Sequence, residues 1–95
     1  MSAVSFDDGT VIRRVDTTVA SEADGVLSMM HLTTGRVHDL SGVGRLVWEA
    51  LDEPRTVGVL IERVSARYPT VARDVIRSDL ARFLDELFEA ELITA

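Results

Sequence analysis

The sequence predicts an α+β domain, in which a three-stranded antiparallel sheet is followed by three helices, the order of a winged helix-turn-helix. Two observations predict it. The segments before residue 41 are short, rich in β-branched residues and separated by turn-forming residues, which is typical of strands. The segments after residue 41 carry apolar residues three and four positions apart, which is typical of amphipathic helices. A run of strands followed by a run of helices indicates an α+β arrangement.

The N-terminal part predicts three strands. The first is Val11–Val15, which residues 16–21 continue after a bend. The second is Gly25–Leu32, and the third is Arg36–Leu40. Between the last two lies Thr33–Gly35, a turn in which Gly35 readily supplies the positive φ that tight hairpins need.

The register of this hairpin has two alternatives. A two-residue Thr34-Gly35 turn pairs His31 with His38, whereas a three-residue loop with a bulge at Gly35 pairs Met30 with His38. The two-residue turn would put Thr34 at positive φ, which is unfavourable for a β-branched residue. We therefore favour the bulged loop.

The C-terminal part predicts three helices. Ser41, Thr56 and Thr70 stand before them as N-caps, because a hydroxyl oxygen accepts an early backbone N–H. Pro54 and Pro69 end the first two helices, since the residue before a proline avoids helical geometry. The three apolar stripes, in order, are Val43, Leu46, Val47, Ala50 and Leu51; Val57, Leu60, Ile61, Val64 and Tyr68; and Val71, Val75, Ile76, Leu80, Phe83, Leu84, Leu87 and Phe88.

The third stripe is wider than one helix face, so the third helix is expected to meet neighbours on two sides. The C-terminal Leu92-Ile93 is expected to pack back onto it. Trp48 lies beside the first stripe, and we expect it to fill the junction between sheet and helices.

Composition indicates one domain spanning residues 1–95, with 46% hydrophobic residues and no linker. Cysteine is absent, which excludes disulfides and thiolate chemistry. Asp7 and Asp8 stand where a secretory signal would be basic, and the apolar runs are too short to span a bilayer, so we expect a cytoplasmic domain. The net charge of −6 argues against nucleic-acid binding, which depends on neutralising phosphates.

No pattern indicates catalysis, a cofactor or a metal. His31 and His38 are the only histidines, fewer than the three or four ligands of a usual metal site, and we expect them to form a cross-strand pair on the hairpin. No nucleophile is marked by a base and an orienting group, so we expect no enzyme.

The arginines of the third helix are candidates for a DNA-binding face. Arg73 and Arg77 share one side of that helix, as a recognition helix would require. Acidic residues outnumber basic ones there by six to three, being Asp74, Asp79, Asp85, Glu86, Glu89 and Glu91 against Arg73, Arg77 and Arg82. This pattern favours a solvated face with ion pairs.

The third strand is the candidate binding element. If the sheet follows chain order, this strand lies at an edge with unpaired backbone groups, which is either a protected edge or a site where an extended peptide adds as a strand. The predicted pairing residues are Arg36, Val37, His38, Asp39 and Leu40. The predicted wall of the adjoining cleft, on the N-terminal half of the third helix, is Val75, Ile76 and Asp79, with Arg73 next. Asp39 and Asp79 would attract a basic peptide.

Several motifs, taken in order over roughly residues 25–93, resemble the PqqD-like family. Gly35, Leu40 and Ser41, followed by Gly44 and Trp48, resemble its Gly-x-x-x-x-Leu-Asn hairpin and the Gly and Trp of its first helix. Residues 51–56 resemble its Leu-Asp-Gly-x-Arg-Thr element, and its Asp-x-x-x-Phe-Leu-x-x-Leu pattern is matched by Asp79, Phe83, Leu84 and Leu87. Ser41 replaces the family's Asn and Glu53 its Gly; Ser and Asn are comparable N-caps.

The resemblance implies a winged helix-turn-helix that binds the leader segment of a ribosomally made precursor peptide as a strand added to the third strand. It implies presentation of that precursor to maturation enzymes. The free-standing, acidic character is most similar to leader-binding proteins of lasso-peptide pathways, whose partners are a leader peptidase and a macrocyclase. The alternatives are PqqD proper, which serves a radical enzyme in quinone-cofactor assembly, and a winged-helix DNA-binding regulator.

Overall fold

A computed structural model describes residues 7–95, so residues 1–6 of the predicted domain lie outside the described part. The described residues form six strands and three helices. In chain order these are β1 (Val11–Arg14), β2 (Thr18–Ala23), β3 (Val26–His31), β4 (Val37–Leu40), α1 (Gly42–Ala50), β5 (Arg55–Thr56), α2 (Val57–Arg67), α3 (Arg73–Glu89) and β6 (Ile93–Thr94).

The strands form two antiparallel three-stranded sheets, ordered β2-β3-β4 and β5-β1-β6. The antiparallel hairpin sheet precedes the three helices in the chain, and this order confirms the predicted α+β fold. Val11–Arg14 is a strand as predicted, but its expected place in the hairpin sheet was wrong, because it pairs with the short strands beside α2 and after α3. The first strand of the hairpin sheet is instead β2.

The turn between β2 and β3 explains this error. Asp24 and Gly25 have φ values of 54° and 79°, and Ala23 pairs directly with Val26, so they form a two-residue turn with both central residues at positive φ. Asp-Gly is a strong hairpin signal. The predicted second strand began at Gly25 and therefore missed this two-residue turn.

Both predicted registers of the β3–β4 hairpin were wrong. His38 pairs with Met29, and Met30 pairs with Val37. The loop is longer than expected: the His31 carbonyl accepts the Gly35 N–H at 2.8 Å, and the His31 N–H donates to the Arg36 carbonyl at 3.0 Å. Four residues, 32–35, therefore separate the strands, and Gly35 takes the expected positive φ of 74°.

The helix starts agree with the sequence at two of three positions. Thr56 caps α2, its hydroxyl accepting the Val59 N–H at 3.2 Å. Ser41 is the N-cap residue of α1, although its side chain makes no capping bond. Thr70 is not the N-cap of α3, which begins after Ala72. The Val71 N–H donates to the Tyr68 carbonyl at 3.1 Å, and this turn holds Thr70 outside the helix.

The core lies between the two sheets and the helices, and Trp48 belongs to it as expected. The guanidinium of Arg14 stacks over the Trp48 ring at 4.6 Å from its centroid and donates to the Trp48 carbonyl. Burial lowers the pKa of Arg14. Leu92 and Ile93 are buried, which confirms that the C-terminus packs back. None of the helices in residues 7–95 has the length and apolarity needed to cross a membrane.

The wide stripe of α3 divides into a buried and an exposed part. Its centre, Ile76, Leu80, Leu84 and Leu87, is buried. Val75 on one flank is 48% exposed, while Phe83 is half-buried and packs against the core. The flank of α3 that carries Phe83 is therefore left partly open beside α1.

Candidate peptide-binding edge

Strand β4 lies at a margin of its sheet and pairs only with β3 among the described strands. Antiparallel pairing alternates residues that bond across the ladder with residues whose backbone points away. The bond from His31 N–H to Arg36 carbonyl fixes this alternation, so His38 and Leu40 face β3. The N–H and C=O groups of Val37 and Asp39 consequently point out of the sheet, two donors and two acceptors on an open edge.

The side chains of β4 alternate between two faces. Val37, 61% exposed, and Asp39 share the outer face with Met30 and Ser28, and the Ser28 hydroxyl donates to Asp39 Oδ1 at 2.6 Å. His38 and Leu40 lie on the helix-facing side, where Leu40 is buried in the core. An added strand would therefore continue one exposed face, which carries both Val37 and Asp39, and one face that looks towards the helices.

A cleft of about 300 Å³ lies between α1 and α3, next to the end of β4. Its lining is Val43, Gly44, Asp79, Arg82, Phe83 and Glu86. Gly44 makes this proximity possible: a methyl group on it would lie 3.2 Å from the Phe83 ring and 3.5 Å from Leu40 Cδ2. Residues 79, 83 and 86 recur at helical spacing, so one flank of α3 forms a wall of the cleft.

The four residues expected on α3 occupy different surroundings. Asp79 lines the cleft. Val75, one turn earlier, is exposed. Ile76 is 5% exposed and belongs to the core, and Arg73 donates to Glu62 of α2 at 2.6 Å. Contact of these four residues with a peptide stays a prediction. Asp79 lies at the cleft and Val75 is exposed, and neither side chain is bound to another helix or strand.

Sequence reasoning did not name Gly44 and Phe83 as cleft residues, although both belong to its motifs. Phe83 stood in the wide apolar stripe, and Gly44 is a glycine inside a helix, where it costs stability unless a close approach requires it. Those two signals together could have placed the cleft nearer the middle of α3 than its N-terminal end.

The charges around the cleft are acidic but partly neutralised. Asp79 accepts from Arg82 at 2.8 Å, one turn along the same exposed helix face. Among the contacts of residues 7–95, no ion pair engages the side chain of Glu86. Glu86 is therefore the carboxylate of the cleft with its full charge available to a basic partner.

The two histidines do not form a cross-strand pair, because His31 lies opposite Thr18 and His38 opposite Met29. His31 is buried and holds the hairpin loop: its Nδ1 accepts the N–H groups of Thr33 and Thr34 at 3.1 and 3.3 Å. Its Nε2 lies 3.3 Å from the Thr17 hydroxyl. Since Nδ1 accepts, the ring proton is on Nε2. In the part of the chain that the structure describes, no three metal-binding side chains cluster.

Comparison with known proteins agrees with this geometry. The family described as coenzyme PQQ synthesis protein D (PqqD) matches residues 27–93, which include β4, all three helices and all of β3 but its first residue. The chain belongs to the PqqD family. Among curated proteins, none matches the sequence.

A solved structure adds a bound peptide to the comparison. This PqqD-family chain is 29% identical to the protein in "TbiB1 in Complex with the TbiA(beta) Leader Peptide", with a TM-score of 0.80. The similarity covers 87% of this chain and 95% of TbiB1. The structural similarity therefore extends over most of both chains.

The arginines of α3 in this PqqD-family domain are engaged by acids, as the charge pattern indicated. Arg77 forms an ion pair with Asp8 that lowers the pKa of Asp8 through the hydrogen bond between them and raises that of Arg77. Arg73 is bound to Glu62, and Arg82 to Asp79. Each arginine of the potential DNA-contacting face therefore has an acidic partner, which removes the free positive charge that phosphate binding requires.

Proposed function

We propose that this protein binds the leader segment of a ribosomally synthesised precursor peptide by strand addition to β4. The observation that carries the proposal is the pair of outward-pointing backbones at Val37 and Asp39, at the margin of a fold that in TbiB1 is complexed with a leader peptide. Strand addition draws affinity from backbone hydrogen bonds and selectivity from pockets for alternate side chains. The domain supplies both, as an edge and a cleft.

The backbone of the peptide would pair with Val37 and Asp39. Every second side chain of the peptide would lie on the helix-facing side and point towards the cleft. Apolar side chains would contact Phe83 and Val43 on its walls. A basic side chain would meet Glu86, which matches the overall charge of −6. In this arrangement Arg36, His38 and Leu40 shape the edge through their strand position, and Val75 extends the wall towards the start of α3.

The bound precursor would be presented to maturation enzymes, with a leader peptidase and a macrocyclase of the lasso-peptide type as partners. The protein would act by binding, without catalysis of its own and without a cofactor, metal, nucleic acid or membrane. We place this function in the cytoplasm, where precursor peptides are translated.

Service to a radical enzyme in quinone-cofactor assembly is the second candidate, favoured by the family description. The two candidates differ in the precursor that the cleft accepts. A lasso-type leader and a quinone-cofactor precursor should therefore be titrated in parallel against the same protein.

The test is calorimetric titration of the full chain with synthetic leader peptides. One probe is the TbiA(beta) leader, and the other is a quinone-cofactor precursor peptide. We expect one peptide per protein. Of two leader variants, N-methylated either at odd or at even positions, only one should lose binding, because only alternate N–H groups of an added strand bond to β4. Failure of both probes to bind, or equal tolerance of N-methyl groups at odd and at even positions, would overturn strand addition.

A further inference from the structure

The opposite margin of the hairpin sheet is a second open edge. Strand β2 pairs with β3 and with no other strand of residues 7–95. All but one of its six residues are exposed. We infer that β2 is a self-association edge, at which a second copy of this chain pairs antiparallel with it. This interface lies on the far side of the sheet from the proposed peptide edge and does not depend on it.

The backbone of β2 offers a complete set of hydrogen-bonding groups. The Leu32 N–H donates to the Thr17 carbonyl at 2.7 Å, which fixes Val19, Ser21 and Ala23 as the residues that face β3. By the alternation of antiparallel ladders, the N–H and C=O groups of Thr18, Ala20 and Glu22 point outward. Three donors and three acceptors are therefore presented along one unbroken strand.

The edge lacks three of the four features that usually prevent strand pairing. Natural edge strands are protected by proline, lysine, bulges or inward charges. The register of β2 with β3 is continuous over six pairs without a bulge. Its one charged residue, Glu22, is bound to Arg45 of α1 at 2.7 Å, an interaction that lowers the pKa of Glu22 and neutralises its charge locally.

The side chains of β2 fit another β2 better than they fit a diverse peptide. The depression of about 250 Å³ at this strand is lined by strand residues alone, without a helix wall. Ala20, Ser21 and Ala23 are small and offer few anchoring contacts, so selectivity must come from backbone complementarity. An antiparallel pair centred on Ala20 satisfies all six outward groups of each strand, because Thr18 then lies opposite Glu22 of the second copy.

The same register joins two apolar rows. Val19, Met30 and Val37 are consecutive cross-strand neighbours on the outer face, and all three are exposed. Pairing about Ala20 places Val19 opposite Ser21 of the second copy and diagonal to its Val19, within the distance at which side chains interact. One continuous six-stranded sheet results, with an apolar row across it and both β4 edges at its outer margins.

The dimer is expected to be weak and sensitive to salt. A single six-residue edge is smaller than the ~800 Å² per partner of stable complexes. Each copy carries a net charge of −6, and this repulsion between copies is screened by added salt. Dimerisation should therefore increase with ionic strength, the opposite of what an interface built on ion pairs would show.

The test is sedimentation equilibrium of the full chain from roughly 10 µM to roughly 1 mM, a range that detects weak dimers. We expect a monomer–dimer equilibrium that Ala20→Pro abolishes and Val37→Pro leaves unchanged. Ala20→Pro removes an outward N–H and no bond to β3, and circular dichroism checks that the variant folds. A monomer throughout the range, a dimer that survives Ala20→Pro, or a dimer lost in Val37→Pro would each overturn the inference.

A crosslink tests the register. The chain has no cysteine, so Ala20→Cys introduces a single thiol. Directly opposed residues of a bonded antiparallel pair lie about 5.5 Å apart between Cα atoms, which suits a disulfide. Ala20→Cys should oxidise to a covalent dimer several times faster than Ala66→Cys, an equally small exposed site on α2. Equal rates would reject this register.

Leader titration of Ala20→Pro should give unchanged affinity and stoichiometry. A lost peptide site would show that β2 binds the leader instead.

Discussion

Gly44 of α1 and Phe83 of α3 lie so close that a methyl group on Gly44 would be 3.2 Å from two carbons of the Phe83 ring. That distance is tighter than ordinary van der Waals contact, so the ring must move when a side chain is added. Phe83 is half-buried at the cleft wall, and the cleft is the open space beside it. The absence of a side chain at Gly44 thus sets the shape of the proposed binding site.

Gly44→Ala should weaken leader binding by roughly 10-fold, equivalent to about 1.4 kcal/mol, because the displaced Phe83 ring would occupy the cleft. Stability should change little, since the gain of up to about 1 kcal/mol in helix propensity opposes the crowding. Calorimetric titration and urea unfolding measure the two effects separately. In the Phe83→Ala background the additional effect of Gly44→Ala on affinity should largely vanish, and additivity of the two changes would contradict a contact-mediated effect.

Val37→Pro should weaken leader binding by about 10-fold or more while the domain stays folded. The Val37 N–H points away from β3, so proline removes a donor to the guest without breaking the β3–β4 ladder, and it leaves a guest carbonyl unpaired. Calorimetric titration measures the loss. Val37→Thr is the matched control, because it keeps the N–H and the β-branched shape; it should bind within a few-fold of the wild type. Equal losses in both variants would assign the effect to the side chain.

His31→Ala should destabilise the domain by about 1–2 kcal/mol, since burial of this ring and its acceptor bonds from Thr33 and Thr34 N–H are lost together. Urea unfolding at neutral pH measures the change. His31→Asn should recover part of the loss, because its Oδ1 accepts from backbone N–H groups much as Nδ1 does. An Asn variant no more stable than the Ala variant would show that ring packing, not loop bonding, supports the hairpin.

Asp8→Asn should lower stability at pH 7 by a small amount that disappears in acid. The hydrogen bond from Arg77 holds the pKa of Asp8 below its ordinary value. A carboxylate with a depressed folded-state pKa stabilises the fold above its unfolded-state pKa, and that contribution is lost as the pH falls through the folded-state value. The difference in urea midpoint between wild type and variant should therefore shrink below about pH 4.

Asp7→Asn provides the control for this experiment, since it removes a neighbouring carboxylate that forms no ion pair with Arg77. At pH 7 it should lower stability less than Asp8→Asn does. A difference for Asp8→Asn that is constant from neutral to acid pH would mean that the Asp8–Arg77 ion pair does not stabilise the folded state.

Elements defined by local signals were predictable. Amphipathic spacing identified the three helices, and Thr56 was placed correctly as a cap because capping depends on a few adjacent residues. The edge position of β4 followed from chain order, since successive hairpin strands usually pair as neighbours. Errors arose where local signals competed. Gly25 belongs to a turn with Asp24 and not to the predicted second strand, and a turn at Tyr68 delays the third helix to Arg73, so Thr70 is not its cap.

By itself, the sequence determined the α+β class, the family, the helix stripes and the strand at the margin of the hairpin sheet, because these depend on residue type and spacing along the chain. Only the tertiary structure decided that β1 joins β5 and β6, that Val37 and Asp39 present their backbones outward, and that Phe83 meets Gly44 at the cleft. Each of these depends on contacts between residues distant in the chain. A one-residue change in loop length reverses which strand groups face outward, and spacing along the chain does not specify that length.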